Sequence, residues 1–362
     1  MMNAKQRVAL ALNHCEPDKV PAHINATKWV VAKLKKALSV TTGRELLNAL
    51  HIDIYDMRGI DLHSGTAPEY IGPENDFFTK GWAGAINSFW RIREFENKTV
   101  SGWNMEMEAP ILTNDSTLEE LQNFIWPDNE WFDYSDLRAR LRSWKDFSIM
   151  ATGASVFQHA TYLRGTDTLM IDMMINPELA NFILDKFTDF YYEYYRRMFE
   201  VAGDLIDIFA LADDLGMQNT LLIGPELFDD YVAPRLKKMA DLAHQYDIRL
   251  LLHTCGNIEL LIPRFIELGV DILDPVQPES MDPLKIKEKY GQEIALRGGI
   301  SVQNVVSRGS VDDVKTESRR IIEAMKPGGG YIFSPGHPVL QDDIPIENII
   351  AMYETGYKYG KY

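Results

Sequence analysis

The feature that most constrains this chain is a string of short apolar runs separated by helical stretches. The runs are Val20–Asn25 (VPAHIN), Asp53–Met57 (DIYDM), Ser148–Ser155 (SIMATGAS) and Leu205–Asp213 (LIDIFALAD). They continue with Arg249–Gly256 (RLLLHTCG), Ile272–Gln277 (ILDPVQ), Ile294–Ser301 (IALRGGIS) and Tyr331–His337 (YIFSPGH). Several are near-continuous in Leu, Ile, Val and Ala, as parallel strands covered on both faces must be. Between them lie helices with recognisable ends. Asn176-Pro177-Glu178 opens a long one that closes near Gly203, with Asn as cap and Pro in the first turn. Gly224-Pro225-Glu226 opens another, Ser310 and Asp312 a third, and Pro345-Ile346-Glu347 the last.

Eight runs alternating with helices predict a single (β/α)8 TIM barrel spanning residues 1–362. No G-x-G-x-x-G and no P-loop follows any run, so nothing supports a doubly wound dinucleotide fold. A barrel needs ~250 residues, which leaves ~110 over. Most of that excess falls after the second strand, in an aromatic-rich insertion at about 60–145. It carries Trp82, Trp90, Trp103, Trp126, Trp131 and Trp144. SFWRIREFE and GWNMEMEAPI alternate within it like hairpin strands. The insertion either packs on itself or forms a lid or partner-docking surface.

Charge narrows the partners. The chain has 53 acidic and 37 basic residues, a net charge of −16. That argues against a general nucleic-acid binder and against docking on an anionic membrane. No stretch of about 18 apolar residues and no signal-peptide pattern is read, and only Cys15 and Cys255 are present. Together these predict a cytoplasmic protein.

Side chains at the C-terminal ends of barrel strands face the mouth, where barrel enzymes do chemistry. His253 and Cys255 share a face at the end of the fifth run. They either fill the mouth or hold a metal, for which imidazole and thiolate suit zinc. His337, between two prolines at the end of the eighth run, is the candidate third ligand and a candidate catalytic residue. Asp213 and Asp214 end the fourth run and are candidate acids, bases or ligands. Adjacent residues point to opposite faces, so one enters the mouth and the other caps or turns. Asn25, Gln158, Gln277 and Glu279 are candidate substrate contacts. At Gly298-Gly299 a planar ligand could approach the backbone. His23 and His159 could also reach the mouth.

KQRVALALNHCEPDKVP, ATYLRG, LADDLGMQ, HTCGNIELLIPRFIELGVDILDPVQPESMDP, LRGGIS and PGGGYIFSPGHPVLQDDIPIENIIAMYE resemble the uroporphyrinogen decarboxylase superfamily. The resemblance runs through nearly the whole chain. It implies one of two chemistries. The namesake enzymes decarboxylate an eight-carboxylate tetrapyrrole without a cofactor, using arginines after the first strand. Here NATKWVVAKLKKAL holds no arginine, although His337 matches their Gly-His motif. The other branch is similar to corrinoid-dependent methyltransferases and O-demethylase components. Some of these carry zinc on H-x-C plus a later cysteine. His253 and Cys255 match the H-x-C, and His337 stands near the missing cysteine. The resemblance then implies Zn²⁺, a corrinoid carried by a partner protein, and a small-molecule methyl ether or thiol. A cofactor-independent decarboxylase of another carboxylated substrate is the alternative. A tetrapyrrole- or corrinoid-binding protein without turnover is the third.

Overall fold

The computed structural model describes residues 2–61, 65–73, 92–96, 103–107, 112, 115–337 and 339–362. Its centre is a parallel sheet of seven strands: β1 (Ile54–Asp56), β2 (Ser148–Ala154), β3 (Ile208–Ala212), β4 (Arg249–His253), β5 (Ile272–Val276), β6 (Ala295–Ile300) and β7 (Tyr331–Pro335). The strands neighbour one another in chain order, and each pair is parallel. Seven of the eight predicted runs are therefore strands of one sheet, curled as in a TIM-like fold. The first run is not a regular strand, but its backbone spans both edges of the sheet. Phe333 N–H donates to Pro21 O (2.8 Å) and His23 N–H to Phe333 O (3.1 Å), while Asp53 N–H, just before β1, donates to Ala22 O (2.9 Å).

Residues two apart on a strand share a face, and this alternation organises the sheet interior into layers. Ile54, Met150, Ile208, Leu251, Ile272, Ala295 and Ile332 form one buried apolar cluster. Val8 and Leu12, from the helix Ala4–Leu12, belong to the same cluster, so this helix plugs the floor. Two residues further along the strands stand Asp56, Thr152, His253, Asp274, Arg297 and Ser334. The polar layer thus lies directly above an apolar floor.

Helices cover the outside. The long helix runs Pro177–Ala202, with Leu179, Ile183, Phe187, Tyr191, Tyr194 and Met198 among its buried residues. Its recurrence at three and four residues is the predicted amphipathic stripe. Asn176 does not cap it: its side chain makes no cap hydrogen bond and donates instead to Asp172 Oδ1 (3.4 Å). Ser310 does cap Val311–Met325, in a capping box with Asp313. The last helix is Ile346–Tyr359.

Within the insertion, Ile92–Glu96 pairs antiparallel with Trp103–Met107, the expected hairpin. Trp82 and Trp90 lie outside the described residues. Trp144 stacks on Tyr55 at 3.7 Å between ring centroids. Trp126 packs edge-on against Phe124, Phe182 and Phe187. These two tryptophans are packed against aromatic side chains of the barrel. Among the described residues, no helix is long and apolar enough to cross a membrane.

Candidate metal centre

The end of β3 decides which aspartate enters the mouth. Asp213 is 1% exposed and turns inward under the next turn of chain. It accepts from Ser155 Oγ (2.6 Å) and from the backbone N–H groups of Val156 (3.1 Å), Phe157 (2.8 Å) and Gln158 (2.7 Å). Those amides open the helix Gln158–Arg164, so Asp213 is an N-terminal cap supplied from another strand. Burial pushes its carboxyl up to about 6, against the four hydrogen bonds that favour the charged form. Four donors thus hold its carboxylate, while its neighbour faces the mouth.

Asp214 is half-buried and faces the mouth. Its Oδ2 accepts from Gln158 Nε2 (2.8 Å) and its Oδ1 from Cys255 N–H (2.9 Å). Oδ1 also lies 3.7 Å from His253 Nε2, and Cys255 Sγ lies 3.5 Å from the same nitrogen. One ligand atom from each of Asp214, His253 and Cys255 falls within 4.8 Å of the other two. The expected pair is thus joined by a carboxylate from β3.

His337 does not join this cluster. Its Nδ1 lies 3.0 Å from Val339 O and receives Val339 N–H at 3.3 Å, so the ring lies against its own backbone. Burial, and the nearby charge of His253, lower its proton affinity. The side chain that stands beside the His253–Cys255 pair is Asp214.

Electrostatics around the pair is strongly coupled. Burial works against charge on His253, but Cys255 and Asp274 outweigh it and raise the imidazole well above its usual range. Burial raises the Cys255 thiol, with His253 opposing. Behind His253, its Nδ1 lies 2.7 Å from Asp274 Oδ2, and Arg297 Nε lies 2.9 Å from Asp274 Oδ1.

The other expected contacts hold the mouth in shape. Gln277 Oε1 accepts from Gly256 N–H (3.0 Å), fixing the turn after Cys255. That turn needs glycine: Gly256 has φ +90°, and a Cβ there would lie 2.5 Å from Gly216 C. Glu279 accepts from Ser301 Oγ (2.7 Å) and Gln303 N–H (3.2 Å), tying the loops after β5 and β6. Asn25 Nδ2 donates to Asp56 Oδ2 (3.1 Å). Gly298 and Gly299 are not an open shelf. A Cβ on Gly298 would meet Val276 backbone at 3.0 Å, and one on Gly299 would meet Ile321 at 3.2 Å. Gly298 lets β6 pack against β5, where the register shifts, and Gly299 lets it pack against Ile321 of the helix Val311–Met325. His159 Nδ1 pairs with Tyr191 Oη (2.6 Å) on the outer helix layer.

Five residues of the polar layer escaped the reading of strand ends: Asp56, Thr152, Asp274, Arg297 and Ser334. Asp56 Oδ1 accepts from Thr152 Oγ1 (2.7 Å), and its Oδ2 faces Arg58 Nη2 (2.9 Å). Their signal is a polar residue two positions beyond an interior apolar one, inside the run rather than at its end.

The donor set suits zinc: one imidazole nitrogen, one thiolate and one carboxylate converge at a strand-end mouth. The sequence model of the family described as Uroporphyrinogen decarboxylase (URO-D) matches residues 136–359. The methylcobamide:CoM methyltransferase MtbA of Methanosarcina acetivorans is 24% identical over 217 residues, which is 59% of this chain and 60% of that protein. The uroporphyrinogen decarboxylase of Sulfurovum sp. is 29% identical over 200 residues, 52% of this chain and 53% of that one. The chain thus spans between half and three fifths of the length of these relatives. A solved structure described as a methyltransferase from Methanosarcina mazei superposes with a TM-score of 0.68 at 19% identity, covering 99% of both chains. At that identity the likeness concerns the fold.

Proposed function

The chain belongs to the uroporphyrinogen decarboxylase family, and from that premise we propose that it is a zinc-assisted methyltransferase. It moves a methyl group between a small methyl ether or thiol and a corrinoid held by a partner protein. We read residues 1–362 as one cytoplasmic barrel domain, with the aromatic-rich stretch at about 60–145 inserted after the second strand. The observation that carries the proposal is the convergence of Asp214, His253 and Cys255 within 4.8 Å. Methyltransferases among the relatives and the absence of arginine in NATKWVVAKLKKAL favour it over decarboxylation.

Asp214, His253 and Cys255 would hold the metal, leaving a position for substrate. When bound, it supplies Lewis acidity at the substrate's oxygen or sulfur. The chain's own residues prepare that position. Gln158 occupies Asp214 Oδ2 and so turns Oδ1 towards the His–Cys pair. Gln277 and Gly256 fix the turn that carries Cys255. The apolar floor below limits water access from the barrel bottom.

Metal analysis of protein purified without added zinc tests the site. Wild type should carry about one zinc per chain, His337→Ala should keep it, and Cys255→Ala and His253→Ala should lose it. A Cys255→Ala protein with full metal overturns the assignment. Methyl transfer from a panel of methyl ethers and thiols to cob(I)alamin should fall together with metal content. Carbon dioxide release from carboxylated substrates without metal or corrinoid would instead support a carboxy-lyase, the activity that the decarboxylase relatives' names carry.

A further inference from the structure

We propose that Asp274 is the positioning residue for His253, and that Arg297 holds Asp274 in place for that task. The inference deepens the zinc reading above and rests on it for its functional meaning, but its geometry stands on β4, β5 and β6 alone.

His253 and Asp274 are register partners on adjacent parallel strands, and both belong to the polar layer. Asp274 Oδ2 lies 2.7 Å from His253 Nδ1. An ionised carboxylate only accepts, so the proton of this hydrogen bond belongs to Nδ1. When the ring gives up its other proton to bind a metal, the lone pair of Nε2 opens on the side where Cys255 Sγ (3.5 Å) and Asp214 Oδ1 (3.7 Å) stand. Asp274 lies outside the three-donor cluster itself. It acts through His253 rather than on the metal or the substrate.

Two features make the contact directional. Asp274 is 2% exposed, and a lone carboxylate at that depth would take up a proton rather than stay charged. Arg297, 4% exposed, lies on the next strand with Nε 2.9 Å from Asp274 Oδ1. One carboxylate oxygen is therefore given to the imidazole and the other to the guanidinium. The contact with Arg297 is ionic and not a hydrogen bond, since Arg297 Nε and Asp274 Oδ1 are both buried without an aligned partner. Arg297 supplies charge while the imidazole takes the directional bond.

Zinc affinity, measured by competition with a chromophoric chelator, tests this alongside thermal unfolding. The ¹⁵N resonances of the His253 ring add a readout that a packing role would not move. Asp274→Asn should bind zinc ~10–100-fold more weakly, as loss of a ligand's outer partner does. Its ring should also lose the single pattern of Nδ1 protonated and Nε2 metal-bound. Asp274→Glu, which keeps the carboxylate, should recover part of the affinity. A folded Asp274→Asn protein with affinity within twofold of wild type and an unchanged ring pattern overturns the proposal. Where Asp274→Asn does not fold, Arg297→Gln and Arg297→Lys carry the test. The first should weaken zinc by ~10-fold and the second should restore most of it; both at wild-type affinity would overturn it. A wild-type protein that binds no zinc refutes the zinc reading instead. In that protein, at a pH where the His253 ring carries a single proton, that proton should sit on Nδ1; finding it on Nε2 would refute Asp274's role.

Discussion

Removing the Asp213 carboxylate should cost most of a domain's margin of stability without touching a metal ligand. Asp213→Ala strips the acceptor from four donors: Ser155 Oγ and the amides of Val156, Phe157 and Gln158. A buried donor left unmet costs ~1–3 kcal/mol. Ser155 can rotate its hydroxyl elsewhere, and water can enter the space of the lost carboxylate, so about two donors stay unmet. The burial that pushes Asp213 up to about 6 also means that part of the carboxylate's worth is spent on its own desolvation. The net loss is then ~3–5 kcal/mol. With an unfolding entropy of ~2.1 cal/mol/K per residue over 362 residues, this lowers Tm by ~4–7 °C. Asp213→Asn keeps one acceptor oxygen and turns an amide towards Val156 N–H, so it should lose only ~1–2 kcal/mol. Urea unfolding followed by circular dichroism reads both variants. Zinc affinity should fall too, because the backbone of Gln158 hangs on Asp213 while its side chain steers Asp214. An Asp213→Ala protein within ~0.5 kcal/mol of wild type would refute the cap and return Asp213 to the list of catalytic carboxylates.

Asp56 sets a pH signature. Burial pushes its carboxyl up, but Arg58 and His23 outweigh this and hold it down to about 2, against 3.8 unfolded. A depressed folded value stabilises above pH ~4 and is lost as pH falls towards 2. The window is worth roughly 2 kcal/mol at about 1.4 kcal/mol per pH unit. Asp56→Asn should therefore lose about that amount at pH 7 and converge on wild type near pH 2, and parallel curves across this range would contradict the assignment. Gly256→Ala should destabilise by at least ~2 kcal/mol, since it forces a Cβ at φ +90° to within 2.7 Å of the Gly216 and Met217 carbonyls. It should also weaken zinc by displacing Cys255; an unfolding midpoint unchanged from wild type would show that the turn relaxes freely.

The strands were legible because parallel strands covered on both faces must be apolar almost throughout, and RLLLHTCG or YIFSPGH can scarcely be anything else. The first run was harder. VPAHIN reads as a strand, yet it bridges the sheet edges through isolated backbone bonds, with Pro21 contributing only its carbonyl. The His253–Cys255 pair was readable from a spacing of two at a strand end. Asp274 and Arg297 were not, because ILDPV and ALRGGI look like core interrupted by stray charges. Only the alternation set by Ile272 and Ala295 places those charges on the inner face. Counting two residues beyond each interior apolar position would have found both, and Asp56 and Thr152 with them.

The choice among Asp213, Asp214 and His337 is of another kind. Sequence says that adjacent side chains diverge, but not which of two aspartates turns to the mouth. That depends on the backbone angle at the end of β3, which is set by partners from distant segments. Three amides around residue 157 call for an anion, and Asp213 is the carboxylate drawn to them. Once it is committed there, Asp214 is carried to the opposite side, where Gln158 and the Cys255 amide receive it. His337 shows the converse. Its place at the end of β7 was readable, but the ring lies against its own backbone, where Val339 N–H meets Nδ1. A carboxylate from β3 thus stands where a ligand from β7 was expected. Which carboxylate stands beside the H-x-C pair therefore depends on how a neighbouring helix is capped.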